Sequence, residues 1–259
     1  MGDMYTDDGY LVVPDVLDPA LIKEIHDETV AICRGMGSAD VRDFLCIHFP
    51  HKMSALMREV AAHPDVVKVL TGIIGPNVKM MQSMLFIKAS GKPGQAWHQD
   101  EAHIPTRDRS LTAAWLALDD ATVENGCLWV LPGSHRAGIL FPTRDQDDPR
   151  FDCAKEAHGF HDEDAVPVEV PAGAAVVFNG YLLHRSLPNR SGGLRRALVN
   201  HYMSAESLLP WFPPEDRRMA LADHRDIVMV AGTDPYAYKG TADLMKPHVR
   251  PDGDGGCAK

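Results

Sequence analysis

Two hydrophobic rhythms divide the chain near Val78. Before it, after a short extended "YLVVP", apolar residues recur at helical spacing. Asp18 and Pro19 supply a cap and a first-turn residue, Leu21, Ile25, Val30, Ile32 and Cys33 form an apolar stripe, and Gly35 ends it. A second helix is expected over "KMSALMREVAAH". Pro64 opens a third, "PDVVKVLTGII", which Gly75-Pro76 stops.

Beyond Val78 the chain changes to short apolar runs separated by turn residues, as in a sandwich or barrel. Eight strands are predicted: "VKMMQSMLFIK", "AWHQDEA", "LTAAWLAL", "GCLWVLP", "VPVEV", "AAVVFN", "YLLHRS" and "RRALVNHYM". Eight suit a double-sheet jelly roll with a mouth between its sheets. The expected fold is therefore mainly β (α+β): a double-stranded β-helix, jelly-roll or cupin-like, carrying an N-terminal helical layer. Residues 1–259 read as a single domain, with a helical layer at 1–77, a core at 78–203 and an extension at 204–259. The polar stretch 136–165 is expected to be a lid loop over the mouth, and the tail after Pro251 to be disordered.

Composition narrows the chemistry. Of 259 residues 45% are apolar and 24% charged, which is ordinary for a folded, water-soluble protein. The formal charge of −10 has no basic block behind it, so no nucleic-acid partner is expected. Five cysteines without close spacing suit a reducing cytoplasm. No signal peptide or membrane span is visible, and "MGDMYT" meets only the loose myristoylation template.

The chemistry concentrates in "WHQDEAH", residues 97–103. His-x-acid recurs along the chain, among other places at His26/Glu28, His98/Asp100, His161/Glu163 and His224/Asp226, so the pattern alone carries little. Only His98/Asp100 falls in a predicted strand, where i and i+2 share a face, with partners downstream. His184 in "YLLHRS" is the expected third ligand, at the start of a strand at the barrel mouth. Two histidines and a carboxylate leave open positions on an octahedral ion, the facial triad of non-haem iron sites. Alternation sends Glu101 away from the ion and leaves His103 beside it or facing substrate.

Two further residues accompany His184. Ser186 shares its strand face, and an Arg fork eleven residues on can bind a carboxylate bidentately. Strand parity does not separate Arg195 from Arg196.

Together, "QSMLFIK…GQAWHQDEAHIP", "AWLALDDATVENGCLWVLPGSHR" and "HRSLPNRSGGLRRALVNHY" resemble the phytanoyl-CoA dioxygenase family of iron(II)- and 2-oxoglutarate-dependent oxygenases. The likeness runs from about Gln82 to Met203, and "DDGYLVVPDVLDPALI" is similar to the family's opening. The resemblance implies His98, Asp100 and His184 as catalytic iron ligands, with Arg195 clamping the distal carboxylate of 2-oxoglutarate and Ser186 supporting it. It also places Trp115, Gln82 and Lys88 near the cosubstrate or substrate. It implies Fe(II), 2-oxoglutarate and O2 as cofactors, a small-molecule substrate, and hydroxylation rather than halogenation because Asp100 is present. Physically, "ENGCLWVLPGSH" reads as turns around a strand, with His135 capping or touching substrate. A Lewis-acid isomerase or hydrolase on the same barrel and a non-catalytic binding barrel remain as alternatives.

Overall fold

Why the chain places His98 and His184 side by side follows from how two strands of one sheet pair. A computed structural model describes residues 2–152, 155–209 and 224–252. The N-terminal third contains α1 (Gly2–Asp8), β1 (Tyr10–Val13), α2 (Pro19–Gly35), β2 (Phe44–His48), α3 (Pro50–Met53), α4 (Ala55–Ala61) and α5 (Pro64–Ile73). The core follows as β3 (Val78–Lys88), β4 (Gly94–His98), β5 (Thr112–Ala117), β6 (Leu128–Val130), β7 (Thr143–Arg144), β8 (Phe151–Asp152) and β9 (Glu156–Ala157). It continues through β10 (Val166–Val168), β11 (Ala175–Asn179), β12 (His184–Ser186) and β13 (Arg195–Ser204), before β14 (Val228–Ala231) and β15 (His248–Pro251).

The larger sheet runs β1-β11-β5-β13-β3-β2-β15, with β14 also on β3, and the smaller runs β10-β6-β12-β4-β8. Every pairing in them is antiparallel except β4 with β8. Period-2 alternation gives the larger sheet two faces. On β13, Leu198 and Tyr202 join Ile25, Cys33, Met57 and Leu70 in the core beneath the helices. Ala197 and Val199 point the other way, into the core shared with the smaller sheet. This is the jelly roll with a helical layer on one sheet that the sequence predicts.

Most elements fall where expected. Asp18 caps α2, its side chain accepting from Leu21 N at 2.8 Å, and Pro19 occupies the first turn. The second helix, expected unbroken over 52–63, is instead α3 and α4. Ser54 is extended between them (φ −137°, ψ 131°) and caps α4 through Met57 N. The strand β2, "FLCIH", interrupts the expected helical layer and pairs with β3. The extension contributes β14 and β15 to the larger sheet. The tail expected to be disordered falls mostly on 253–259, outside the described residues.

The stretch 136–165 lies along the outside of the smaller sheet. Trp97, Leu183 and Ala157 pack there with Trp129, Phe141 and Phe160. Arg185 sits 4.6 Å over the Trp97 ring, while Trp97 Nε1 donates to Asp162 at 3.1 Å. Within the stretch, β8 adds an edge strand beside β4. The wall of the central cavity takes none of its described residues.

Candidate metal centre and cosubstrate slot

His98 ends β4 and His184 begins β12, and the two are Cα partners across that pairing. Their rings lie 4.1 Å apart. A β-bulge on β4 matters here: Gln95 to His98 takes three steps along the chain opposite only two, from His184 to Ser186. The bulge aims both Gln95 and His98 at the cavity while Trp97 faces outward.

Asp100 is not on the strand. The extended run expected through Ala102 stops at His98, and Asp100 opens a 3-10 turn over Asp100–Ala102. Strand alternation therefore does not place it. Gln99 does much of that: its amide donates to Tyr181 O (2.7 Å) and Ile139 O (3.0 Å), and its carbonyl oxygen accepts from Phe141 N (2.8 Å). Glu101 turns away and accepts from Thr106 N and Oγ1.

The result is a compact donor set. Asp100 Oδ1 lies 3.7 Å from His98 Nε2 and 3.6 Å from His184 Nε2. All three donor atoms fall within 4.8 Å of one another, and no other group of His, Cys, Asp or Glu does so among the described residues. Each histidine also orients itself. His98 Nδ1 donates to Ala96 O at 2.8 Å, and His184 Nδ1 donates to Leu182 O at 3.0 Å. A carbonyl only accepts, so the proton sits on Nδ1 and both Nε2 lone pairs face the shared point.

Electrostatics agree. Burial, then the neighbouring His184, holds His98 down at about 4, so its ring is neutral at pH 7. Burial would raise the Asp100 carboxyl, but His184, His201 and His98 together hold it well below the usual carboxylate range. His98 and Asp100 therefore stand deprotonated at neutral pH, the form that a divalent cation requires.

One member of the site is missing from the sequence reading. His201 on β13 is buried, and its Nε2 donates to Asp100 Oδ2 at 3.0 Å. Its signal was faint: a lone His in an apolar strand, inward by parity with Ala197 and Val199.

The cavity beside the donors measures about 250 Å³. It shares Phe86, Gln95, Trp115 and Leu128 with a smaller slot of about 40 Å³ that ends on Arg195, Ser186 and Lys88. Arg195 is 3% exposed, its guanidinium 5.5 Å over the Trp115 ring. No described residue gives it a hydrogen bond or an ion pair, and its Nε is an orphaned buried donor. Burial lowers it to about 10, still charged at neutral pH.

Arg196, by contrast, faces the helical layer and forks onto Asp119 with bonds of 2.7 and 2.8 Å. The structure thus separates two residues that strand parity alone leaves equivalent. Lys88 Nζ donates to Leu187 O (2.7 Å) and Ser186 Oγ (2.9 Å), and burial holds it well below its ordinary value. Gly94 allows the close approach that lets Gln95 N also reach Ser186 Oγ, since a Cβ there would overlap Ser186 O. Gln82 lines the larger cavity. His135 has a structural contact, its Nε2 donating to Thr6 O in α1.

The model of the phytanoyl-CoA dioxygenase (PhyH) family matches residues 5–197. The chain belongs to that family. Among curated members, rice phytanoyl-CoA dioxygenase 1 is 34% identical over 161 residues, covering 61% of this chain and 57% of the rice protein. The human peroxisomal phytanoyl-CoA dioxygenase is 30% identical over 230 residues, covering 78% and 67%. The chain thus spans little more than half of the rice relative.

Solved structures share the family fold. The non-heme monooxygenase ThoJ superposes with a TM-score of 0.72 at 21% identity, covering 96% of this chain and 88% of that one. The epimerase SnoN, in complex with Fe3+, alpha ketoglutarate and nogalamycin RO, gives 0.69 at 21%, covering 88% and 96%. EvdO2 from Micromonospora carbonacea, complexed with 2-oxoglutarate, gives 0.66 at 22%, covering 85% and 95%.

Proposed function

We propose that this chain is an iron(II)- and 2-oxoglutarate-dependent dioxygenase that hydroxylates an unactivated carbon of a small molecule. The observation that carries the reading is Arg195. A buried, unpaired guanidinium is costly to maintain, and the missing partner is an anion. Arg195 lines a slot that shares Phe86, Gln95, Trp115 and Leu128 with the cavity of the His98, Asp100 and His184 donors, the arrangement a dicarboxylate needs to reach both. Family membership and the 2-oxoglutarate named with EvdO2 point the same way.

In this reading His98, Asp100 and His184 hold the iron, whose open positions suit a cosubstrate and oxygen. Bound iron with 2-oxoglutarate and O2 supplies oxidation of a C–H bond, coupled to release of succinate and carbon dioxide. Arg195 clamps the distal carboxylate bidentately. Ser186 adds a hydrogen bond: its oxygen already accepts from Lys88 and Gln95 N, which leaves its proton to donate. Lys88 holds Ser186 in place by donating to its Oγ. Trp115 forms the slot wall, and Gln82 faces the substrate side.

Residues of both sheets wall the cavity beside the donors, and Asp100 is the one carboxylate among the three ligands. The buried free thiols of Cys33, Cys46 and Cys127 support a reducing compartment. Among the described residues no helix is long and apolar enough to cross a membrane.

Anaerobic titration of apo-protein with iron(II) and 2-oxoglutarate tests the reading. A visible charge-transfer band is expected with wild type and not with His98→Ala. Folded, metal-loaded wild type without that band would overturn it in favour of Lewis-acid chemistry.

A further inference from the structure

The cavity has a second end. Away from the slot it is lined by His48 on β2, Gln82 and Met84 on β3, and His103 and Ile104 just after the 3-10 turn. Three of these carry hydrogen-bonding side chains: His48, Gln82 and His103. None of those side chains makes a hydrogen bond to a described residue, whereas Gln99, Glu101 and Ser186 close by are all engaged. Among the described residues, no Lys, Arg, Asp or Glu other than Asp100 lines this cavity.

We infer that the part of the substrate held in this cavity is uncharged and presents a hydroxyl or carbonyl group to His48 and Gln82. The inference rests on the dioxygenase reading and names the substrate class of that same site.

Charge argues for it first. Among the described residues, an anionic group at this end would meet no free cationic side chain, because Arg195 and Lys88 line the slot on the other side of Trp115. An ammonium would find no carboxylate except one already committed to the metal. Either charge would be desolvated without a partner.

Hydrogen bonding argues for it next. Burial, then the stacked His248 ring, holds His48 down at about 4, so at neutral pH it carries one donor and one acceptor. A glutamine amide likewise offers both, and a hydroxyl group, itself donor and acceptor, satisfies either. His48 is also fixed in place. It stacks on His248 with centroids 4.3 Å apart and planes inclined by 12°, and β15 carrying His248 pairs along β2. Further along β15, Arg250 forks onto Asp152 at 2.6 and 2.7 Å.

Size limits the molecule. A cavity of about 250 Å³ is below the range of roughly 300–1,000 Å³ usual for drug-sized ligands, and part of it serves the cosubstrate. What remains admits a small molecule or one end of a larger one.

Three matched fragments test this against the anaerobic iron(II)-2-oxoglutarate band: cyclohexanol, cyclohexanecarboxylate and cyclohexylamine. Cyclohexanol is expected to perturb the band at a concentration at least about ten-fold lower than the charged pair. His48→Leu should keep the band yet raise the cyclohexanol requirement about ten-fold, one hydrogen bond's worth, and His48→Gln should restore it. Equal or better binding of a charged fragment, no response to any of the three, or an unchanged His48→Leu overturns the inference while the dioxygenase reading stands. Absence of the band in wild type removes both.

Discussion

His201 holds the outer oxygen of Asp100, Nε2 to Oδ2 at 3.0 Å, which leaves Oδ1 turned toward His98 and His184. One carboxylate is thereby divided between two tasks, one oxygen for orientation and the other for the ion.

Removing that hold should loosen the ion. His201→Ala is expected to weaken iron(II) affinity by about 10- to 100-fold, as loss of an outer partner to a metal ligand commonly does. His201→Gln keeps a donor and should recover part of the loss. Iron(II) competition against a chromogenic chelator reads this directly. Affinity unchanged in His201→Ala would show that Asp100 needs no such support.

The two arginines of "RR" should part company. Arg195→Ala is expected to raise the 2-oxoglutarate requirement at least about thirty-fold, since truncating one partner of a buried charge pair costs about 2–5 kcal/mol. Arg196→Ala removes a partly exposed pair with Asp119 and should cost about 1 kcal/mol of stability with little change in cosubstrate binding. Titration of the charge-transfer band, alongside urea unfolding, separates the outcomes. Equal effects on the band would contradict the assignment.

Acid should destabilise the apo-protein well before its carboxylates titrate. His48, His51 and His98 are each held down at about 4 chiefly by burial, whereas an unfolded histidine protonates near 6.5. Between those values the unfolded chain takes up protons that the folded chain refuses, so stability is full above pH 6.5 and falls as pH drops toward 4. Three protons set an upper bound of about 4 kcal/mol per pH unit, with half-buried His48 contributing least. Unfolding free energies at pH 7, 6 and 5 measure the slope. A flat profile would mean that these rings protonate freely in the folded state.

The part of 136–165 around Phe160 should be separable from the metal, whereas Ile139 and Phe141 of the same stretch brace Gln99 beside Asp100. Phe160 packs edge-on against Trp97 (5.8 Å) and Phe141 (5.3 Å) on the outer face of the smaller sheet. Phe160→Ala is expected to cost up to about 3 kcal/mol and to speed proteolysis within 136–165. Iron(II) affinity should stay within about two-fold of wild type, a change below about 0.4 kcal/mol. Limited proteolysis and metal titration run on one sample decide this, and a parallel loss of iron affinity would count against it.

What the sequence disclosed follows the range of each physical signal. The α2 boundaries were legible because Asp18, Pro19 and Gly35 act within one turn of themselves, and β3 and β13 because long apolar runs need no partner to be recognised. His98, Asp100 and His184 were legible as residue types, but the reason offered for Asp100 was wrong. The strand ends at His98 and Gln99 ties to Tyr181, Ile139 and Phe141, partners distant in sequence that alternation along "AWHQDEA" could not register. The same holds for β2, whose "FLCIH" is buried between neighbours that only the fold supplies, and for His201, which matters only because Asp100 arrives opposite it. Arg195 and Arg196 are adjacent in the chain and opposite in space. Asp119, distant in sequence, identifies which is which.

His98 and His184 solve their aiming problem the same way, each tying Nδ1 to the carbonyl two residues earlier in its own chain. Direction is therefore encoded in three consecutive residues, and the pairing of β4 with β12 has only to supply distance. A scaffold built this way tolerates drift in its distant parts: strands can lengthen, helices can be exchanged and outer loops can grow, while each ring still points where its own tripeptide directs it.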